Sequence, residues 1–260
     1  MSKVLGLAVA MLLVAGPSLA ADLAVKAPRS LPPGAAPFSW TGCYIGATAG
    51  GVQGKSDVSW APNPPGFPIS GPSIAAQTPG TISSTGFTGG GEIGCNYQFN
   101  PFLVAGLEGD FEYTGLDASR SGAVTVAPGN VNPFTESFTS HWLSTIRGRL
   151  GVANGPVLFF ATGGAAFANP TFSDQIFFPA SGTTNAASSS GTITGWTVGG
   201  GVEWFFMPQW SLKAEYLHAD FGTRSFTSAN SNPAVFPLST IVHSHSLVED
   251  IGRIGLNFHF

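Results

Sequence analysis

The chain has 260 residues, room for one domain or two, and only 9% of them are charged: 10 Lys and Arg against 14 Asp and Glu, a formal net charge of −4. With no basic surface to neutralise phosphates, nucleic acid is excluded as a partner. Gly, Ser, Thr, Asn and aromatics outweigh the helix formers Lys, Glu, Gln and Met, a mixture that favours strands and turns, so the class is all-β.

At the front, Lys3 precedes the apolar run Val4 to Ala15, a breaker at Gly16-Pro17, and Ser18-Leu19-Ala20 with small outer residues. Residues 1–20 therefore read as a secretory signal peptide, with an apolar run too short to span a bilayer. Residues 21–37 carry Pro28, Pro32, Pro33 and Pro37 and read as an extended periplasmic tail. From Trp40 the pattern alternates over roughly 40–54, 84–99, 102–116, 138–153, 157–170, 191–206, 210–222 and 244–260, which predicts eight strands in a domain spanning 38–260. The most apolar stretch, Pro156 to Ala168, is broken by glycines and is shorter than the roughly 20 residues of a membrane helix.

The connections come in two kinds that strictly alternate. Tight turns fall at Asn100-Pro101, Asn154-Gly155-Pro156 and Met207-Pro208; long polar loops are predicted at 55–83, 117–137, 171–190 and 223–243. Short turns at one end and long loops at the other describe an up-and-down antiparallel barrel in an outer membrane, turns in the periplasm and loops outside. "TGFTGGGEIG" (85–94) and "TGWTVGGGVEW" (194–204) repeat one hairpin theme; their glycines lie inside alternating strands with no following helix and serve close packing or curvature, not phosphate binding.

Parity decides which face is which. Glu108, Asp110 and Glu112 share one face of the third strand, and Leu103, Leu107, Phe111 and Tyr113 the other. Arg147 and Arg149 oppose Trp142, Ile146, Leu150 and Val152; Lys213 and Glu215 oppose Leu212, Ala214 and Tyr216; Glu249 and Arg253 oppose Val248, Ile254 and Leu256; Glu92 and Glu203 obey the same rule. A lysine or arginine facing lipid at mid-membrane costs roughly 2–4 kcal/mol, so the charges face inward. A secreted β-sandwich also alternates, but has no reason to put these charges in its core. Counted from the turns, Arg147 is level with Glu108 and Arg253 with Glu215, which predicts a charge network filling and plugging the lumen. His218, Asp220 and Asp250 point outward against the rule, near the loop ends of their strands.

Aromatics fall at two depths: Phe87, Tyr113, Trp142 and Trp196 far from the tight turns, Tyr97, Phe99, Phe206 and Trp210 beside them. From Tyr97 to Phe87, at about 3.3 Å per residue and a tilt near 40°, the separation is roughly 25 Å, the height of a membrane's apolar band between its aromatic girdles.

Other candidate sites are sparse. Cys43 and Cys95 lie at similar distances from the periplasmic ends of neighbouring strands, on the lipid-facing side, and read as a disulfide or as two small apolar thiols. His243 and His245 lack a third metal ligand and read as solvated loop residues; His141 and His259 have inward parity. His218, Asp220, Ser244 and Glu249 supply the residue types of a lipid-modifying enzyme but differ in parity, and no motif sets a nucleophile beside a base. The reading is therefore not an enzyme, with no cofactor and no metal.

In sequence the chain resembles the alphaproteobacterial small outer-membrane β-barrel proteins, the porin or outer-membrane immunogenic protein family. The carriers, in order, are "ADLAVKAP", "WTGCYIGATAGG", "GGGEIGCNYQF", "GLEGDFEY", "TIRGRLGVA", "VGGGVEW", "LKAEYLHADFG" and the final "RIGLNFHF". The resemblance implies an eight-strand barrel in the cell outer membrane, surrounded by lipid and lipopolysaccharide, with a role in envelope integrity and surface exposure. It also implies that the terminal aromatic, Phe260 with Phe258, is the signal that the barrel assembly machinery reads. A small diffusion channel and a loop-mediated adhesin or surface antigen are the alternative functions.

Overall fold

A computed structural model describes residues 38–63 and 66–260; the signal peptide and the proline-rich tail lie outside the described residues. Among the described residues ten strands follow one another: β1 (Gly42–Pro62), β2 (Gly80–Gln98), β3 (Leu103–Ala127), β4 (Asn130–Asn154), β5 (Val157–Ala168), β6 (Thr171–Phe178), β7 (Thr183–Ser190), β8 (Ile193–Met207), β9 (Trp210–Asn230) and β10 (Ile241–His259). The short helix α1 (Gly71–Gln77) lies between β1 and β2.

Every pairing is antiparallel, and the order β1-β2-β3-β4-β5-β8-β9-β10 closes on itself where β10 meets β1. That ring has eight strands. The other two continue the wall: after Asn169-Pro170, where proline cannot donate to the ladder, β6 replaces β5 beside β4, and β7 runs down into β8. The tight turns keep their predicted places; at one of them Gly155 sits at φ 57, a conformation glycine adopts without strain.

The structure corrects the predicted loops. Strand continues through most of them, and β3 and β4 run on as a hairpin to a turn at Pro128-Gly129, leaving, among the described residues, 63–79 and 231–240 as the longer connections. From Trp142 to Asn130 the wall rises roughly 30 Å above the outer girdle at ordinary strand rise and tilt.

The physical reason these strands escaped the pattern is that the wall changes solvent partway up. On β3 the even-numbered residues face inward from Val104 to Val124 without a break. Low on the strand this buries Glu108, Asp110 and Glu112 and exposes Leu107, Phe111 and Tyr113; high on the strand it buries Leu116, Ala118 and Val124 and exposes Ser119 and Ser121. In the membrane the barrel is polar inside and oily outside; above it the arrangement is that of an ordinary water-soluble protein. On β4 the crossover coincides with a register shift against β3, between Tyr113 and Leu116, and there the alternation slips so that His141 and Trp142 both turn outward. His141 is thus exposed, not luminal as its parity suggested.

Glycine placement follows from close approach. A Cβ on Gly94 would collide with the Tyr44 phenol, and one on Gly90 with the backbone of Phe111 and Glu112. Both glycines belong to the repeated "GGGEIG" theme, so its bare positions make room for a luminal ring and a neighbouring strand.

Candidate functional site

The lumen is filled in layers. At the periplasmic end Trp40, Val104, Ala153, Leu158, Phe160 and Phe205 form an apolar floor, and the Trp40 indole donates to the Gly155 carbonyl at 3.0 Å.

Above the floor lies a charged layer. Glu108 stands opposite Arg147 on β3 and β4, and Arg253 opposite Glu215 on β10 and β9. The Arg147 guanidinium binds Glu108, Asp110 at 2.8 Å and Glu215 at 2.7 Å. Arg253 binds Glu112, Asp110 at 2.9 Å and Glu215 at 2.6 Å. Arg149 pairs with Glu203, and the Lys213 ammonium sits among Glu92, Glu108 and Glu215. Those last three carboxylates are close enough to surround a cation, and Lys213 is that cation.

All four cations are buried, and burial of an ion is offset only when it is paired and hydrogen-bonded, as here. Neutral groups complete the layer: Tyr44 donates to Glu108, Thr48 and Thr88 to Glu112 at 2.6 Å each, and Asn257 to Glu203 at 3.0 Å. Tyr44 shares the inward parity of Thr48, the signal by which the sequence could have revealed it. Glu249 faces inward too but stands apart from this network: among the described residues no cation lies within ion-pair distance of it, and it sits one level higher, between Gly54 and Ala219.

Over the charges comes an apolar roof that sequence reading missed, including Val52, Leu116, Phe138, Leu143, Leu217, Leu247 and Ile251. Within its upper part lies a second polar cluster. His243 and His245, expected in a solvated loop, are fully buried on β10; both reach the same oxygen of Asp174, at 3.0 and 2.8 Å, and His243 also meets Ser228 and His245 meets Ser56. Burial alone would raise the Asp174 carboxyl, but the two imidazoles drawn up against it hold it below the usual range. Glu136 is the cross-strand neighbour of Asp174; burial pushes its carboxyl up to about 7 despite its bridge to Arg120 at 2.6 Å. Arg120 in turn donates to the Thr78 carbonyl beyond α1, and Gln77 exchanges two hydrogen bonds with the backbone of Thr125, fixing the helix over the mouth.

The outer wall carries the aromatics. Phe87, Tyr113 and Trp196 are exposed at one level and Tyr97, Phe99, Phe206 and Trp210 at the other, while Trp142 is half-buried against Phe111. Between them Leu107, Ile146, Leu150, Ile254 and Leu256 are exposed. Cys43 faces Cys95 across β1 and β2, and the two form a disulfide with Cα atoms 4.0 Å apart.

His218 and Asp250 do point outward and meet each other at 2.8 Å, with the Tyr216 hydroxyl donating to Asp250 at 2.6 Å. Asp220 instead accepts from the Gly222 amide, and Ser244 pairs with Ser225, so among the described residues His218 has no serine hydroxyl as a hydrogen-bond partner. At the seam, the Phe260 amide donates to the Cys43 carbonyl at 3.0 Å, its ring is exposed, and Phe258 packs on Trp210.

An eight-strand ring with an oily exterior band, two aromatic girdles and an ionised interior defines an integral outer-membrane β-barrel protein. The chain belongs to the family described as outer membrane protein beta-barrel domain, which matches residues 8–239. It is 32% identical over 249 residues to the 31 kDa outer-membrane immunogenic protein of Brucella melitensis, covering 94% of this chain and 93% of that one. It is 30% identical over 141 residues to the 22 kDa outer membrane protein of Rhizobium leguminosarum, covering 54% and 56% respectively. Among solved structures it resembles the outer membrane protease OmpT of Escherichia coli, with a TM-score of 0.48 and 9% identity over 87% of this chain and 99% of that one. The outer membrane is its location.

Proposed function

We propose that this barrel is a non-conducting, non-enzymatic wall protein that contributes to envelope integrity and presents its extracellular rim to the surroundings. The observation that carries this reading is the layering of the lumen: buried, paired ions between an apolar floor and an apolar roof. Against catalysis stands the pairing of His218 with Asp250 while the candidate Ser244 hydroxyl is bonded to Ser225. For surface presentation, the wall rises well beyond the outer girdle, and the Brucella relative is named an immunogenic protein.

Lipid and lipopolysaccharide are the partners of the exposed band, and the assembly machinery that of the C-terminal strand. Planar-bilayer recording and liposome swelling with folded protein test the reading. Silence and no swelling are expected; stable, large ohmic steps would assign a diffusion channel instead.

A further inference from the structure

At the extracellular rim the chain ends of several strands meet around a cavity of about 210 Å³. Its wall takes Phe67 from the 63–79 connection, Asn130 and Asn132 from the start of β4, Phe178 from the end of β6, Asn230 from the end of β9 and Phe236 from the 231–240 connection. These parts are tied together. The Asn63 amide donates to Thr240 at 2.9 Å, Asn185 to the Ser239 carbonyl at 2.6 Å, and Asn230 to Thr183 and Asn185 at 3.1 and 2.9 Å.

The chemistry of the wall is unlike the lumen beneath it. Among its described lining residues there is no Lys, Arg, His, Asp or Glu; there are three half-buried phenylalanine rings, amides and hydroxyls. A charged ligand would find no counter-charge here, and a wholly apolar one would cover the Asn130 amide and the Ser70 hydroxyl, whose side chains make no hydrogen bond among the described residues, without offering them a partner. The volume lies below the roughly 300–1,000 Å³ of sites for larger ligands and suits a single ring. One common chemistry satisfies all three conditions: a ring with apolar C–H faces and uncharged hydroxyls on its edge.

We infer that this mouth cavity binds a neutral pyranose unit of a glycan, its C–H face against the phenylalanines and its hydroxyls exchanging hydrogen bonds with Asn130, Asn132 and the neighbouring hydroxyls. The inference rests on the surface-presenting role proposed above and names the ligand class of that rim. The glycan has two sources, the saccharide of the cell's own outer leaflet and glycans outside the cell.

The test is saturation-transfer NMR on folded, full-length mature protein in a detergent without a sugar headgroup. The probes are glucose, galactose and mannose against their uronic acids and 6-phosphates. Neutral sugars should take up saturation and the anionic ones should not. Phe236→Ala should weaken binding roughly tenfold and Phe236→Tyr should keep it, with the heat-dependent gel shift reporting that both variants fold. Absence of saturation transfer to every neutral sugar from folded wild type, or equal transfer to the anionic ones, overturns the sugar site and leaves the non-conducting barrel untouched. Channel activity would sink that reading without touching this one. Preference for the delipidated oligosaccharide of the cell's own glycolipid, or for unrelated neutral glycans, would each support the site and identify its source.

Discussion

Glu108 and Arg147 are direct cross-strand partners, and their side chains join in the middle of a lumen that bulk water does not reach. The same guanidinium also holds Asp110 and Glu215, so three carboxylates depend on one cation. Replacing it with a neutral side chain leaves these buried acids short of a counter-charge. Arg147→Ala should cost about 3–5 kcal/mol. Urea-induced unfolding in lipid vesicles measures it; a shift under about 1 kcal/mol would mean that the layer is wet enough to screen its charges.

Cys43 and Cys95 bridge β1 and β2 near their periplasmic ends, next to the seam where Phe260 meets Cys43. Cys43→Ser should leave the barrel assembled, because register there is already held by the ladder on both sides of β1. The cost should be at most about 2–4 kcal/mol. Thiol titration of denatured protein should find no free thiol in the wild type before reduction and two after it. Two free thiols without reductant would mean an unbridged pair.

Much of this was legible because the membrane imposes a simple rule on β3, β4, β9 and β10: ions in, hydrocarbon out. Counting from Asn100-Pro101 placed Glu108 level with Arg147, and the ladder has that register. The rule stops at the outer girdle. Above it "SRSGAVTVA" on β3 exposes Ser119 and Ser121 and buries Val124, and hydroxyl-rich strand looks like loop when an oily exterior is the signal sought. For the same reason His243 and His245 read as solvated: nothing local in "HSH" reveals Asp174, which is brought beside them only by ring closure. The apolar roof was hidden similarly, since residues such as Leu116 and Phe138 fell in or beside stretches read as loop.

Phe260 contributes little to the folded barrel beyond its backbone hydrogen bond to Cys43, because the residue is 69% exposed. Its removal should therefore hardly change the stability of protein refolded in detergent, yet it should lower the amount of folded protein in the outer membrane of cells. Comparing gel-shifted protein from outer-membrane fractions with the refolded variant separates assembly from stability. Equal yield in cells would remove the assembly role proposed for this residue.

Two carboxyls above the membrane should give the barrel opposite responses to acid. Asp174 is held below its ordinary range by His243 and His245, so the folded state binds its proton less tightly than the unfolded chain does. Its stabilisation is present above the unfolded pKa, near 4, and is lost as pH falls below it. Glu136 is raised to about 7, so the folded state binds its proton more tightly than the unfolded chain does. Its contribution is full below about pH 4.5 and is lost as pH rises through 7, by an amount on the order of 2 kcal/mol. Between pH 5 and 7.5 Glu136 contributes to the decline, so Glu136→Gln should make the urea midpoint fall less across that range than it does in wild type, while Asp174→Asn should lower it at neutral pH and lessen the fall below pH 4. Because Arg120 links Glu136 to the Thr78 carbonyl, hydrogen exchange in α1 should also change across the higher window in wild type and not in Glu136→Gln. Wild-type and Glu136→Gln stability curves that run parallel from pH 5 to 7.5 would place that proton elsewhere.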